Sequence, residues 1–459
     1  MSYHQFLKAK SRFEPPAGLK NIPAMPGQMF DFQKAVTDWA CRRGRASIFA
    51  GTGLGKSFKE LAWANALYEA DGKKTLIFTP LAVASQMKDE AIKFGIDAAH
   101  VSSGDESECP IQITNYQKID HFDLSKYGGV VLDESSILKN YAGHFRTRLI
   151  DECKKVPYRL AATATPSPND YMELGNHAEF CGIMSYTDML STFFVHDGSS
   201  TQNWRLKGHA ENEFWKWMAT WAVMYQSPDD LGYDGSAYIL PKLHQIEHIV
   251  GAKYEANINT GLLFPLEAQS MSERLTARRA TIEDRVNKAV EIAGGIDDAL
   301  VIWCNLNDES AMLCDRIPEA VEVTGSMTDE KKEDVLRQFS RGNIRILVTK
   351  PSICGFGMNW QHCNQTIFVG LNDSFEQIYQ ANRRFWRFGQ KREVYAHFIA
   401  SELEGAVVQN IKRKEQQAQH MMNEMVKHMK DLSAANVKGA VRDTLKYQPQ
   451  EKVELPSWI

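Results

Sequence analysis

The sequence predicts an α/β protein with two lobes, each a parallel β-sheet flanked by helices, and a helical insertion between them. Short apolar stretches of strand length alternate with helix-like stretches in both halves of the 459-residue chain. The turns between them are short, which is typical of a doubly wound parallel sheet whose ligands bind at the strand C-termini. A glycine-rich loop between a strand and a helix occurs in the first half alone, so we expect the two lobes to play different parts.

Composition and charge narrow the class of protein without identifying it. The formal net charge is −4, so any nucleic-acid binding must use a local basic surface. The eight cysteines are scattered and none forms a C-x-x-C pair, which predicts free thiols in a reducing compartment. Residues 1–10 are polar, and no window of about 18 residues is wholly apolar. We therefore expect a cytoplasmic protein without a membrane span.

The first lobe is predicted over residues 29–170, after a proline-containing lead-in over residues 1–28. Apolar residues just after this lead-in have helical spacing. Gln33 lies near the start of that helix, where its amide can read the edge of an adenine ring with Phe30 or Phe32 beside it. A surface glutamine on an amphipathic helix is the alternative, and the sequence leaves both open.

Residues 50–57 read A-G-T-G-L-G-K-S and lie between an apolar strand and a helix-like stretch. This order is typical of a phosphate-binding loop, because glycines let backbone N–H groups converge and the helix N-terminus adds partial positive charge. Lys56 can reach the β- and γ-phosphates, and the Ser57 hydroxyl can bind Mg²⁺. Alanine replaces the usual first glycine at position 50. The predicted nucleotide-binding residues of the loop are Gly51, Thr52, Gly53, Gly55, Lys56 and Ser57.

An acidic pair ends the buried strand predicted over residues 128–134. Asp133 and Glu134 stand where the chain turns, so both carboxylates can face the same loop. Beside a phosphate loop, Asp133 is predicted to hold Mg²⁺ through its water shell and Glu134 to polarise the attacking water. A solvated acidic turn is the alternative, which the apolar strand and the upstream loop disfavour.

Residues 171–245 are rich in aromatic side chains and are predicted to form the helical insertion. Phe214, Trp217 and Trp221 fit one helical face, so packing into a core is favoured over a base-stacking surface. His244 and His248 belong to an H-x-x-E-H pattern like that of some zinc proteases. The surrounding residues predict an extended chain, on which the two histidines are too far apart to share one zinc ion.

The second lobe is predicted over residues 246–405, followed by a helix and a weakly patterned tail over residues 406–459. Arg384 and Arg387 are three residues apart, which places them on one helix face. Guanidinium groups there can meet negative charge that develops on the γ-phosphate across the cleft between the lobes. A basic surface helix is the alternative, but it does not explain the Gln380 and Gly-Gln frame around the arginines.

Together these motifs resemble helicase superfamily two, and most closely its Swi/Snf-type DNA-translocase group. The resemblance covers roughly residues 30–400, and the motifs keep the family's order and spacing. It is carried by Gln33 and by residues 53–57, 79–81, 133–136 with Lys139 and Asn140, 163–166 with Asn169, 354–360 and 380–390. The last of these reads Q-A-x-x-R-x-x-R-x-G-Q, which is typical of the Swi/Snf-type group and differs from RNA helicases. The compact linkers resemble those of phage and prophage members.

The resemblance implies two RecA-like lobes that bind ATP and Mg²⁺ in the cleft between them. Hydrolysis would move the protein along nucleic acid, with double-stranded DNA favoured, in the cytoplasm of a bacterium or of a phage's host. It also implies that glycines such as Gly357 let the backbone approach the nucleotide. Two rivals stay open, namely a strand-separating or RNA-directed helicase and an ATP-gated nucleic-acid-binding module with slow hydrolysis. The sequence identifies no protein partner.

Overall fold

A computed structural model describes residues 16–139, 144–167, 170–196, 204–251, 278–354, 358–371, 374–402 and 405–439. The predicted motif residues Asn140, Asn169 and Gly357 lie outside this set, as do the first part of the lead-in and the tail from residue 440. Within it, the chain forms two parallel sheets flanked by helices. This confirms the predicted fold class of two RecA-like lobes.

Strands and helices alternate along both lobes. The strands are β1 (Arg45–Ala50), β2 (Thr75–Thr79), β3 (Ala98–His100), β4 (Ile111–Asn115), β5 (Gly129–Asp133), β6 (Tyr158–Thr163), β7 (Phe194–His196), β8 (Trp204–Leu206), β9 (Ala222–Tyr225), β10 (Leu243–Val250), β11 (Leu300–Cys304), β12 (Ala320–Glu322), β13 (Ile346–Thr349), β14 (Gln365–Val369) and β15 (Val394–Ser401). The helices are α1 (Asp31–Arg43), α2 (Lys56–Asp71), α3 (Ala84–Lys93), α4 (His144–Cys153), α5 (Leu174–Cys181), α6 (Tyr186–Phe193), α7 (Glu211–Ala219), α8 (Ile282–Gly294), α9 (Asn307–Arg316), α10 (Asp329–Ser340), α11 (Pro351–Cys354), α12 (Phe375–Asn382) and α13 (Gly405–Val437). Short 3-10 helices cover Leu81–Val83, Tyr116–His121, Leu124–Lys126, Ser135–Lys139, Tyr171–Glu173, Gly208–Ala210, Pro228–Leu231 and Ser236–Tyr238.

The first lobe is built on a seven-stranded sheet with the order β3-β4-β2-β5-β6-β1-β9. Every neighbouring pair runs parallel, so all strand C-termini reach the same edge. The residues of β2 and β5 are buried throughout, as expected for a parallel sheet covered by helices on both faces. The loop after β1 and the acidic pair after β5 therefore open on the same side of the sheet.

The aromatic-rich segment does not stay apart from the first lobe. It contains helices α5 to α7 and an antiparallel hairpin of β7 and β8, and then β9 adds to the edge of the first sheet beside β1. The sequence did not predict these strands. The aromatic side chains pack into one core, which confirms their predicted packing role: Phe193, Phe194, Phe214, Trp215, Trp217 and Trp221 are all buried there.

The second lobe is a six-stranded parallel sheet with the order β10-β15-β14-β11-β13-β12. Its edge strand β10 carries His244 and His248, which confirms the predicted extended conformation. His244 Nε2 lies 2.9 Å from Glu393 Oε2, and His248 Nε2 lies 3.0 Å from His397 Nδ1. In the part of the chain that the structure describes, no cluster of three histidine, cysteine or carboxylate side chains could hold a metal ion.

Helix α13 leaves the second lobe and returns to the first. Its methionines Met425 and Met429 pack into the aromatic core of the first lobe. Ser433 Oγ accepts a hydrogen bond from the Met224 backbone N–H at 3.2 Å, and Asn436 Nδ2 donates to the Ala219 carbonyl at 2.6 Å. The chain therefore crosses between the lobes twice.

Two predictions from composition can be checked in the described ranges. All eight cysteines lie within these ranges and none is bonded to another. No described helix is long and apolar enough to cross a membrane.

Candidate active site between the lobes

One cavity of about 280 Å³ lies between the two lobes and collects most of the predicted site residues. Lobe one lines it with Gln33, Thr52, Gly53, Gly55, Lys56, Ser57, Asp133 and Glu134, and lobe two lines it with Arg384 and Arg387. Gly51 instead lines a neighbouring cavity of about 230 Å³ behind the loop. Gly357 is outside the described residues. The predicted residues of the two lobes thus face one another.

The loop between β1 and α2 needs glycine at two positions. Gly53 has φ +87° and Gly55 has φ +74°, both in the left-handed region that side chains disfavour. A Cβ atom on Gly53 would lie 2.8 Å from the Phe388 backbone nitrogen, and one on Gly55 would lie 2.3 Å from Gln33 Nε2. The loop therefore packs closely against lobe two on one side and against α1 on the other.

The N-terminus of α2 carries no side-chain cap. Gly55, the residue before the helix, has no side chain that could accept a hydrogen bond from the first-turn N–H groups. Unsatisfied N–H groups and the helix dipole make such a terminus a site for an anion. Lys56, the first residue of the helix, adds a positive charge to it. A phosphate group fits this arrangement.

The Gln33 amide is engaged inside the protein. Gln33 Oε1 accepts the Phe30 backbone N–H at 3.0 Å, and Nε2 donates to the Leu54 carbonyl at 3.2 Å. The buried Lys59 donates to the same carbonyl at 2.8 Å, and burial lowers the pKa of Lys59 to about 7. Both side chains therefore hold the loop in place. Recognition of adenine by Gln33 stays a prediction. No sequence motif indicated the role of Lys59.

The acidic pair lies where β5 ends. Asp133 is buried, and burial together with the neighbouring Glu134 charge raises the pKa of Asp133 to about 7. A carboxylate this poorly solvated gains most from a nearby cation, so Asp133 and the Ser57 hydroxyl fit the oxygen ligands that Mg²⁺ prefers. Burial and the Asp133 charge also raise the pKa of Glu60, one helix turn after Lys56, well above its usual value.

Glu134 adopts a strained backbone conformation. Its φ of 51° makes it the sole non-glycine residue in the left-handed region within the described ranges. Such strain costs about 1–3 kcal/mol and is concentrated at functional sites. The Thr163 hydroxyl donates to Glu134 Oε2 at 3.2 Å and fixes the carboxylate direction. The end of β6 therefore orients the residue that was predicted to act on water.

Helix α12 ends at Asn382, so Arg384 and Arg387 lie in the turns that follow it, and the prediction that they share one helix face is wrong. The two arginines differ in how far lobe two uses them. Arg384 is buried and donates to the Gln380 carbonyl at 3.0 Å, to Gln380 Oε1 at 3.2 Å and to the Met358 carbonyl at 3.1 Å. Burial and the neighbouring Arg387 charge lower the pKa of Arg384 to about 9. Arg387 donates to the same Met358 carbonyl at 3.2 Å, and its Nε has no partner among the described residues. Arg387 therefore keeps more of its five N–H donors for a ligand than Arg384 does.

Sequence reasoning missed two aromatic residues at one end of the cavity. Tyr238 lies in the chain that leads to lobe two, and Phe388 directly follows Arg387. Gln361 Nε2 donates to the Phe388 carbonyl and supports it from lobe two. The one sequence signal for Phe388 was its position next to Arg387, an arginine of the cleft. No sequence signal indicated Tyr238, because its place beside the cavity depends on the path of the chain.

Comparisons with known proteins bear on the second lobe. A family model described as the helicase conserved C-terminal domain matches residues 285–389, from within α8 to the glycine after Phe388. This match confirms the predicted helicase resemblance for that part of the chain. No curated protein matches the chain. Among solved structures, the Sulfolobus solfataricus SWI2/SNF2 ATPase core in complex with dsDNA is 18% identical, covers 90% of this chain and 95% of that chain, and has a TM-score of 0.40.

Proposed function

We propose that the chain is an ATP-hydrolysing motor of the Swi/Snf type that moves along double-stranded DNA. The observation that carries this proposal is the division of one site between two lobes. The phosphate-binding loop and the carboxylates come from lobe one, while Arg384 and Arg387 come from lobe two. Such a site is complete when the cleft is closed, so a cycle of nucleotide binding and release opens and closes it.

Each side chain has a role that its surroundings support. Lys56 and the uncapped N–H groups of α2 bind the phosphates, and Ser57 and Asp133 would hold Mg²⁺. The ion, when bound, neutralises charge on the phosphate oxygens. Glu134, held by Thr163, takes the proton of the attacking water. Arg387 stabilises the charge that develops on the γ-phosphate, and Arg384 keeps the arginine-bearing segment in place.

The lobes already touch at this site, which supports coupling between hydrolysis and motion. The Phe388 backbone lies against Gly53, as shown above, and Ser85 Oγ donates to Glu333 Oε2 at 2.7 Å across the cleft. Movement of either lobe therefore changes the environment of the phosphate-binding loop directly.

Double-stranded DNA is proposed as the track on the form of the motifs. The loop sequence G-L-G-K-S and the arginine motif follow the Swi/Snf-type pattern. With a net charge of −4, binding must use local basic surfaces and contact mainly phosphates. We therefore expect binding that depends little on base sequence and weakens with salt.

ATPase rates measured alone, with double-stranded DNA, with single-stranded DNA and with RNA test the proposal. Strongest stimulation by double-stranded DNA is expected. Glu134→Gln is the control, since it keeps the size of the side chain, should retain ATP and DNA binding, and should lose hydrolysis. Strongest stimulation by single strands or RNA would favour a strand-separating or RNA-directed helicase. Slow hydrolysis that no nucleic acid stimulates would favour the ATP-gated binding module.

A further inference from the structure

One hydrogen bond joins two helices that face each other across the cleft. Ser85 lies in the first turn of α3 in lobe one, and Glu333 lies on α10 in lobe two. The Ser85 hydroxyl donates to Glu333 Oε2 at 2.7 Å, and both side chains are half-buried. A hydroxyl–carboxylate hydrogen bond of this length is charge-assisted and about twice as strong as a neutral one. The contact therefore contributes to how firmly the lobes are held together.

The surroundings of the two residues favour this contact. Glu333 forms no ion pair with another described residue, so its carboxylate is not drawn away from Ser85. On the other side of the hydroxyl, His100 Nδ1 at the end of β3 lies 3.5 Å from Ser85 Oγ. The hydroxyl gives its one proton to Glu333, so its oxygen can accept a hydrogen bond from the His100 ring. Lobe one thus directs the Ser85 hydroxyl towards lobe two.

The contact lies at the opposite end of the cleft from the chain connections between the lobes. Ser85 and Glu333 line a cavity of about 560 Å³ between α3 and α10. Leu240, just before β10, and Met422 on α13 line the cavity of about 230 Å³ behind the phosphate-binding loop. These two cavities share no lining residue, whereas the nucleotide cavity shares residues with each of them. An opening motion about the connections therefore separates the lobes most at α3 and α10.

We propose that Ser85 and Glu333 form a latch that holds lobe two against lobe one and limits how often the nucleotide cavity opens. The inference rests on the proposed function, because it adds control of closure to the same site. While the latch is closed, the Arg387 segment stays beside the phosphate-binding loop. Neither latch residue lines the nucleotide cavity, so both are positioning residues. The latch must break for a nucleotide to enter or leave.

Hydrogen exchange of backbone amides in the full chain tests the latch without any nucleotide. Each change is read on the helix of the other lobe, where the substitution has no local effect. Ser85→Ala should speed exchange in α10, and Glu333→Ala should speed it in α3, both by about tenfold, because a hydrogen bond to a charged group is lost. The double alanine variant should exchange no faster than either single variant, since the two residues form one contact.

Three variants serve as controls for the exchange measurement. Ser85→Thr keeps a hydroxyl and Glu333→Gln keeps an acceptor oxygen, so both should stay close to the wild type. Asp334→Ala removes the next carboxylate of α10, which is exposed and bonds to Gln338 on the same helix, and it should change nothing in α3. Unchanged exchange on the opposite helix in both single alanine variants would overturn the latch.

The dissociation rate of magnesium-loaded ADP tests the link between the latch and the nucleotide cavity. Ser85→Ala and Glu333→Ala should speed release by about tenfold, and Ser85→Thr should release ADP like the wild type. Faster exchange with unchanged ADP release would overturn the control of the cavity by the latch. If the protein binds no ADP while exchange responds as expected, the proposed function fails and the latch is a contact between lobes alone.

Discussion

Each lobe has a strand that leads directly into a helix, and the two helix N-termini are treated in opposite ways. In lobe one, β1 leads into α2, whose first turn has no side-chain cap. In lobe two, β11 leads into α9, and Glu309 on that helix accepts the backbone N–H groups of Asn305 at 2.8 Å and Leu306 at 2.9 Å. Lobe two thus supplies its own anion where lobe one leaves room for a ligand.

The anion of lobe two is neutralised within the protein. Glu309 Oε1 accepts a hydrogen bond from Arg285 Nη1 at 2.5 Å, and both side chains are fully buried. Arg285 Nε also donates to Thr281 Oγ1 at 3.2 Å. The comparison teaches that a parallel strand–helix unit is not by itself a nucleotide site. It becomes a candidate when glycines replace the capping carboxylate and a lysine without an ion pair among the described residues replaces the paired arginine.

The largest expected effect comes from this lysine of lobe one. Lys56→Ala should abolish ATP turnover, because loss of a phosphate-binding charge costs several kcal/mol of transition-state stabilisation. Steady-state ATPase assays measure it. Lys74→Ala removes an exposed lysine of the same lobe and should behave like the wild type. Retention of more than about a tenth of the activity by Lys56→Ala would remove this lysine from the site.

A second change tests what lobe two adds. Arg387→Ala should leave ATP affinity nearly unchanged, while DNA-stimulated turnover falls by roughly 10³-fold, as for arginine fingers elsewhere. Arg387→Lys should not restore it, because a point charge cannot replace the planar guanidinium. Nucleotide titration and ATPase assays in parallel separate the two effects, with the exposed Arg413→Ala as control. Normal stimulation in either Arg387 variant would show that lobe two does not complete the site.

Glu309, the capping carboxylate of lobe two, should contribute to the stability of the fold and not to ATP hydrolysis. Glu309→Gln removes the carboxylate charge from a fully buried ion pair, which should lower the free energy of unfolding by about 4 kcal/mol. Chemical denaturation measures this change. Glu319→Gln breaks an ion pair with Arg345 at the surface of the same lobe and should lower the free energy of unfolding far less, because solvent screens the pair. Equal effects of the two variants would mean that the buried pair does not stabilise the helix N-terminus.

The smallest expected effect concerns His177, a buried side chain of lobe one that lies beside a backbone carbonyl and not beside a charged group. His177 Nε2 lies 3.2 Å from the Pro166 carbonyl, and burial lowers the pKa of His177 to about 4. The unfolded chain takes up this proton near pH 6.5, before the folded protein does. The stability that His177 contributes is therefore complete above about pH 6.5 and is lost as the pH falls towards 4, by up to roughly 3 kcal/mol.

Unfolding free energies of the wild type and His177→Phe, measured between pH 7 and pH 4, check this dependence. The wild type should lose more stability than the variant over that range. His420→Phe, which changes an exposed histidine on α13, should follow the wild type. Parallel curves for wild type and His177→Phe would show that His177 is protonated equally in the folded and unfolded chains.

The sequence was sufficient for the features that depend on local pattern. Mainly apolar runs such as β2 and β5 marked buried parallel strands, and the loop before Lys56 was recognisable from its glycines. Features that depend on distant partners were not predictable. Strand β9 is short and becomes part of the first sheet through its pairing with β1 alone. Tyr238 meets Phe388 because the chain returns to the cleft, and Gln33 Nε2 donates to the Leu54 carbonyl, neither of which spacing can show.

The return of α13 to lobe one limits how lobe two can move. A lobe that is connected to its neighbour at a single point can rotate in any direction. The chain connects the two lobes at two places, through the segment before β10 and through the part of α13 that bonds to Met224 and Ala219. Two connections define an axis, so the easiest motion of lobe two is rotation about the line that joins them. Met425 and Met429 pack into the aromatic core at the second connection, and their unbranched side chains can adjust their packing as lobe two rotates.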